Sequence, residues 1–338
     1  MRNPPRHRPA DRASSPGRVV VTGGAGFLGS HLCARLLREG HEVVCLDNLS
    51  SGDLTNLDPL RDDPRFELRI CDVTDPFTVP GPVSAVAHLA ALASPRDYLD
   101  HPLDSLRVGS LGTVHALELA RENGARLLLT STSEVYGDPQ VHPQPESYRG
   151  NVSPTGPRAV YDESKRFAEA TASAYRRVHG VDVGIVRIFN TYGPGMRPGD
   201  GRVVTNFVTQ ALAGRPLTIY GDGSQTRSLC YVDDLVEGLV RMLRADHPGP
   251  VNLGNPVEMS VREIALLVKE LTGSDSPLVH QPAMVDDPVR RRPEISLARS
   301  VLGWEPTVTL RDGLRRTISW LRQRQPTTRP PAGALVGQ

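Results

Sequence analysis

The sequence predicts an α/β fold: a doubly wound parallel sheet with a smaller α/β lobe interleaved toward the C-terminus. Three observations carry this. An apolar run, Val19-Val20-Val21, enters the glycine-rich turn Thr22-Gly23-Gly24-Ala25-Gly26-Phe27-Leu28-Gly29, and residues 30–38 follow as a helix. A second apolar run, 42–46, ends in Asp47. Strand-like and helix-like segments then alternate as far as residue 188. That alternation builds parallel sheets whose ligand sites lie at the C-terminal ends of the strands.

The first turn has the spacing of a dinucleotide site. Gly23 permits the tight turn, Gly26 lets a pyrophosphate approach the backbone past Phe27 and Leu28, and Gly29 lets helix and strand pack closely. The helix N-terminus offers free N–H groups and a positive dipole end to the anion. Asp47 can accept hydrogen bonds from an adenosine ribose and would repel a 2′-phosphate, so the site should prefer NAD to NADP. Asn48, Ser51 and Gly52 form the polar turn beyond it.

Bulk properties exclude several classes. The 338 residues are 38% hydrophobic and 23% charged, with a net charge of +1. This is no basic nucleic-acid surface. No run of eighteen apolar residues suggests a membrane span. Residues 1–16 hold four Arg and four Pro without an apolar core. They read as a disordered tail, not a secretory signal. Cys33, Cys45, Cys71 and Cys230 lack metal-ligand spacing and suit free thiols in a cytoplasmic protein. No metal site is expected.

The next strand, 66–70, leads to Asp72 and Val73; Asp72 stands where it could reach an adenine, or it is a plain loop carboxylate. Residues 83–89 form a fourth strand, ending in Leu89 and Ala90, where small residues let a cofactor lie against the backbone. A long helix is expected over 102–123, a strand over 126–130, a helix over 158–179 and a strand over 183–188. The texture changes after Asn190, where Gly and Pro crowd 193–201. Beyond it a helix is expected over 203–213, short strands near 217–220 and 227–231, a helix over 232–243, a strand near 251–254, a helix over 261–271, a basic loop over 286–292 and two terminal helices. The first lobe should span 17–190, with 228–252 returning to it. The second should comprise 191–227 and 253–324. Residues 325–338 read as another tail.

Tyr161 and Lys165 stand four residues apart, so they share a helix face. A free tyrosine, with a pKa near 10, is a poor base at neutral pH. A nearby ammonium stabilises the phenolate and should lower that value. The lysine could also hold a nicotinamide ribose. Lys165 is one of only two lysines among 39 basic residues.

Together these residues resemble the extended short-chain dehydrogenase/reductase superfamily over roughly residues 17–322. The resemblance implies a Rossmann domain holding NAD and a second lobe holding a nucleotide sugar. Tyr161 would be the base for hydride transfer, with Lys165 and Thr132. After Thr132, sugar dehydratases of this superfamily carry Asp-Glu and 4-epimerases carry small residues. Ser133-Glu134 instead looks like the decarboxylases of nucleotide-linked uronic acids, UDP-glucuronate decarboxylases above all. The runs 131–139, 156–159, 187–191, 201–204, 223–227, 251–256 and 286–293 look like that family as they stand. The resemblance implies UDP-glucuronate as substrate, with Glu134 and Arg291 positioning the ring and serving C5 protonation. Arg291 could also meet the carboxylate. It puts Asn190, Arg202, Tyr220, Gln225 and Arg227 near the nucleotide or sugar, and Tyr98 near the sugar. It also implies a homodimer, paired through 103–123 and 158–179.

The chain departs from the family at Ala91, Leu92 and Gly109, where relatives commonly have Ser or Cys, Pro, and Asn. A UDP-sugar 4-epimerase, or a decarboxylase of a related uronate, is the alternative enzyme. A non-catalytic NAD-binding protein is the alternative outside catalysis, although such proteins often lose the Tyr or Lys kept here.

Overall fold

The computed structural model describes residues 16–283 and 290–324. The expected tails, apart from Pro16, and residues 286–289 of the basic loop lie outside the described residues.

The first half follows the expected order of strands and helices. It runs β1 (Arg18–Thr22), α1 (Phe27–Arg38), β2 (Glu42–Asp47), β3 (Phe66–Ile70), β4 (Ala85–His88), α2 (Pro95–Asp100), α3 (Pro102–Arg107), α4 (Thr113–Asn123), β5 (Arg126–Thr132), α5 (Ala159–His179) and β6 (Val183–Ile188). Among the described residues no α-helix lies between β2, β3 and β4. The second half contains β7 (Thr191–Tyr192), α6 (Val203–Leu212), β8 (Leu217–Tyr220), β9 (Thr226–Ser228), β10 (Cys230–Tyr231), α7 (Val232–Arg244), β11 (Val251–Leu253), β12 (Glu258–Ser260), α8 (Val261–Thr272), β13 (Leu278–Gln281), α9 (Ser296–Leu302) and α10 (Leu310–Arg324).

A seven-stranded sheet runs in the order β11-β6-β5-β4-β1-β2-β3, parallel throughout. Successive side chains on a strand face opposite sides, and both sides are apolar here. Val19, Val21, Val43 and Cys45 join the core on the side of α1 and α7. Val20, Val44 and Leu46 join the core packed by α4 and α5. Burial on both faces explains the near-continuous apolar strands. After α6 to β10 the chain returns to the sheet, and β11 pairs alongside β6.

Several elements differ from expectation. The helix over 102–123 is interrupted at 108–112 by a π-type turn between α3 and α4. Gly109 lies in that turn, and a Cβ there would meet Ser164 Cβ at 2.5 Å. Ser164 on α5 thus fills the space that a side chain at 109 would need. The strand expected over 227–231 is two pieces. β9 pairs antiparallel with β12, whereas β10 pairs parallel with β7. β5 runs on to Thr132, which brings Thr132 to the strand end. Among the described residues no helix is long and apolar enough to cross a membrane, and no cluster of His, Cys, Asp and Glu could hold a metal ion.

Candidate active site

The C-terminal ends of the strands open into one cavity of about 870 Å³, which reaches from the glycine turn to the second half of the chain. Gly23, Gly26, Phe27, Leu28, Gly29, Asp47, Asn48, Ser51, Gly52, Asp72, Val73, Leu89 and Ala90 all line it.

The turn fits a dinucleotide. Gly23 has φ +69°, and a Cβ there would meet Ala90 Cα at 2.8 Å. A Cβ on Gly29 would run into the Gly23 carbonyl and Gly24 Cα. The first turn of α1 holds no acidic residue, so its N–H groups and dipole end are free to attract an anion. Asp47 is buried and fixed by the N–H groups of Ala25 (2.9 Å) and Leu49 (2.8 Å). Burial raises its pKa, and these two bonds work against the rise. Each carboxylate oxygen keeps a lone pair for a ribose hydroxyl. Asp72 accepts from Asn48 Nδ2 at 2.9 Å and from Thr74, at the wall of the cavity.

Tyr161 and Lys165 meet the cavity from α5, beside Thr132 at the end of β5. Lys165 is buried, and its Nζ donates to the Thr130 carbonyl at 2.9 Å. Burial lowers its pKa to about 8. Tyr161 is not depressed as the sequence suggested. Burial pushes it up to about 12, while a hydrogen bond with Thr132 and the charge of Arg202 pull the other way. Lys165 Nζ lies 5.9 Å from the ring centroid, and Tyr98 of α2 covers the ring as a stacked neighbour. Desolvation outweighs the distant ammonium in this arrangement.

Glu134 follows Ser133 in a short 3-10 turn after β5. Its Oε2 accepts from Arg158 Nη2 at 2.6 Å and from Arg291 Nη2 at 3.3 Å. Burial works to raise its pKa, but the guanidiniums of Arg291 and Arg158 offset this and hold it below the ordinary value. Arg291 also donates to the carbonyls of Ser133 and Gly137 and is almost fully buried. That binding to backbone suits it to holding Glu134 more than to catching a ligand. Arg158 and the neighbouring Asp162 carried no separate signal, because their proximity to Glu134 depends on where α5 begins.

The second half of the chain supplies the opposite wall. Asn190, Arg202, Tyr220, Gln225 and Arg227 line the cavity. Arg202 donates to the Ala93 carbonyl at 3.0 Å, and Gln225 Nε2 to the Tyr220 carbonyl at 2.7 Å. Arg197 pairs with Asp97 at 2.5 Å and links the glycine-rich segment to α2. Ala91 and Leu92 lie on the cavity wall, packed with Tyr98 and Tyr161.

A parallel sheet with this turn, and a tyrosine and lysine sharing one cavity, define a nucleotide-dependent dehydrogenase-type enzyme. The NAD dependent epimerase/dehydratase family model matches residues 19–254, and the chain belongs to that family. UDP-glucuronic acid decarboxylase 1 of Arabidopsis thaliana is 52% identical over 307 residues, 91% of this chain and 70% of that protein. The Xenopus tropicalis protein of the same name is 49% identical over 90% of this chain and 72% of its own length. Within the family the chain belongs with the UDP-glucuronic acid decarboxylases. Among solved structures, a UDP-glucose 4-epimerase of Thermotoga maritima with UDP-glucose has a TM-score of 0.83 and 29% identity, covering 90% of this chain and 99% of that one. A dTDP-glucose 4,6-dehydratase of Streptomyces venezuelae with NAD bound has a TM-score of 0.82 and 31% identity, covering 91% and 97%.

Proposed function

We propose that this chain converts UDP-glucuronate to UDP-xylose. The observation that carries the reading is Glu134, half-buried between Arg158 and Arg291 and held at the cavity that Tyr161 and Lys165 line. Relatives of which the chain spans 70% and 72% are named UDP-glucuronic acid decarboxylases.

The chemistry explains the need for a dehydrogenase site. A carboxylate on a saturated sugar carbon leaves no sink for its electron pair. A ketone at C4 makes the substrate a β-keto acid, so that pair can flow into an enolate. NAD, when bound, supplies the hydride acceptor and donor at C4. Tyr161 takes the C4 hydroxyl proton as the ketone forms and gives it back on re-reduction. Thr132 orients the phenol. Lys165, anchored on the Thr130 carbonyl, favours the phenolate by its charge. The bond from C5 to the carboxyl carbon breaks, carbon dioxide leaves, and C5 accepts one proton. Glu134, kept ionised by its arginines, orders the ring and the proton donor, including a water, at C5.

The arginines and polar groups from Asn190 to Arg227 suit a UDP, since a guanidinium fork matches a diphosphate. This assigns NAD to the lobe 17–190 with 228–252, and UDP to 191–227 with 253–324. A homodimer is supported by Leu103, Leu106, Leu111 and Phe167. These are exposed on α3, the π-type turn and α5, the elements expected to pair. A cytoplasmic site is supported by the four free cysteines.

Mass spectrometry of an incubation with UDP-glucuronate and NAD tests the reading. A product lighter by carbon dioxide is expected. An unchanged mass with C4 inverted would make the chain an epimerase.

A further inference from the structure

We propose that Arg158 recognises the carboxylate of the substrate and so sets the preference of this site for a uronate over a neutral sugar. The inference rests on the substrate reading given above.

Arginines at the reacting end differ in what they have left to offer. Arg291 is tied to the Ser133 and Gly137 carbonyls and to Glu134, and its side chain is 2% exposed. Arg158 is 17% exposed and lines the cavity, and its hydrogen bond among the described residues is the one to Glu134. A guanidinium carries five N–H donors in a planar fork that fits a carboxylate. Arg158 can keep Glu134 and still present donors to an incoming anion.

Its position suits that anion. Arg158 is the N-cap residue of α5, three residues before Tyr161, so the two are neighbours on one side of the helix start. Tyr161 must reach the hydroxyl on C4. The carboxylate hangs from C5, one carbon away. A group adjacent to Tyr161 therefore meets the carboxylate when the tyrosine meets its hydroxyl.

The charge balance agrees. Two guanidiniums, Arg158 and Arg291, face one ionised carboxylate, Glu134. Asp162, also near them, has its pKa raised to about 7 by burial and by Glu134. The cluster thus has room for one further anion. A neutral hexose would leave Arg158 without that partner.

The test compares ligand affinities by calorimetry in full-length, NAD-loaded protein carrying Tyr161→Phe, which binds without turnover. The parent should bind UDP-glucuronate more tightly than UDP-glucose. Adding Arg158→Gln should weaken UDP-glucuronate by about 10- to 100-fold, the range for a lost charge-assisted bond. UDP-glucose affinity should stay within about twofold. Arg158→Lys keeps the charge without the fork and should fall between them; it also serves if the glutamine variant is unstable. Retained preference in Arg158→Gln, or equal loss for both sugars, overturns the role of Arg158 alone. A parent without preference overturns the substrate reading as well.

Discussion

Tyr98 and Tyr161 lie stacked, with ring centroids 5.2 Å apart and planes 9° from parallel. The contact shields the Tyr161 ring from water and joins α2, which bears Tyr98, to the start of α5. Tyr98→Ala should open that face to solvent. The variant is expected to lose about 3 kcal/mol in urea unfolding, as for other buried aromatic truncations. Its activity should fall further than Tyr98→Phe, which keeps the stack.

Asp162 offers a pH test. An unfolded aspartate loses its proton near 3.8, but in the fold Asp162 keeps it to about 7 because it is buried, with Glu134 adding to the rise. The folded state therefore binds more protons across this window, and the contribution to stability is lost as pH rises from about 4 to about 7. Asp162→Asn removes the penalty. It should stabilise the protein by roughly 2–4 kcal/mol at pH 8 and by little at pH 4. Thermal unfolding at both pH values checks the sign; equal effects would refute it.

Glu134→Gln should separate decarboxylation from cofactor binding. Loss of the negative charge leaves Arg158 and Arg291 without their shared counter-charge, although the amide oxygen can still accept from one of them. Product formation should fall by about 100-fold or more. NAD affinity, read by fluorescence titration, should not change, because Glu134 lies at the sugar end. Near-normal turnover would sink the assignment of Glu134.

Gly29→Ala tests the turn. The new Cβ would collide with the Gly23 carbonyl, a backbone atom that cannot rotate away. Weakened NAD binding is expected, with a stability loss of about 1–3 kcal/mol from overpacking. Gly124→Ala makes a useful contrast. Its φ is +60° with nothing within 4 Å, so it should cost backbone strain but leave NAD affinity intact.

Local signals were legible in the chain. The glycine turn, Asp47, and the pair Tyr161 and Lys165 each depend on spacing within one element or turn, and all line the cavity. Signals that depend on long-range packing were not. Tyr98 covers Tyr161 across 63 positions, and Arg158 meets Glu134 across 24. Gly109 looked like an unexplained departure until Ser164 appeared against it. The shift expected for Tyr161 had the wrong sign because proximity in sequence to Lys165 says nothing of burial. The break at 108–112 escaped because apolar spacing does not distinguish a continuous helix from one with a π-type turn.

The most direct test of the central claim, C4 oxidation enabling loss of the carboxylate, is proton NMR of the reaction with UDP-glucuronate in deuterated water. The account predicts UDP-xylose with an equatorial C4 hydroxyl and one solvent deuterium at C5, since C5 takes its proton after carbon dioxide leaves. UDP-galacturonate, with the carboxylate intact and no deuterium at C5, would contradict it.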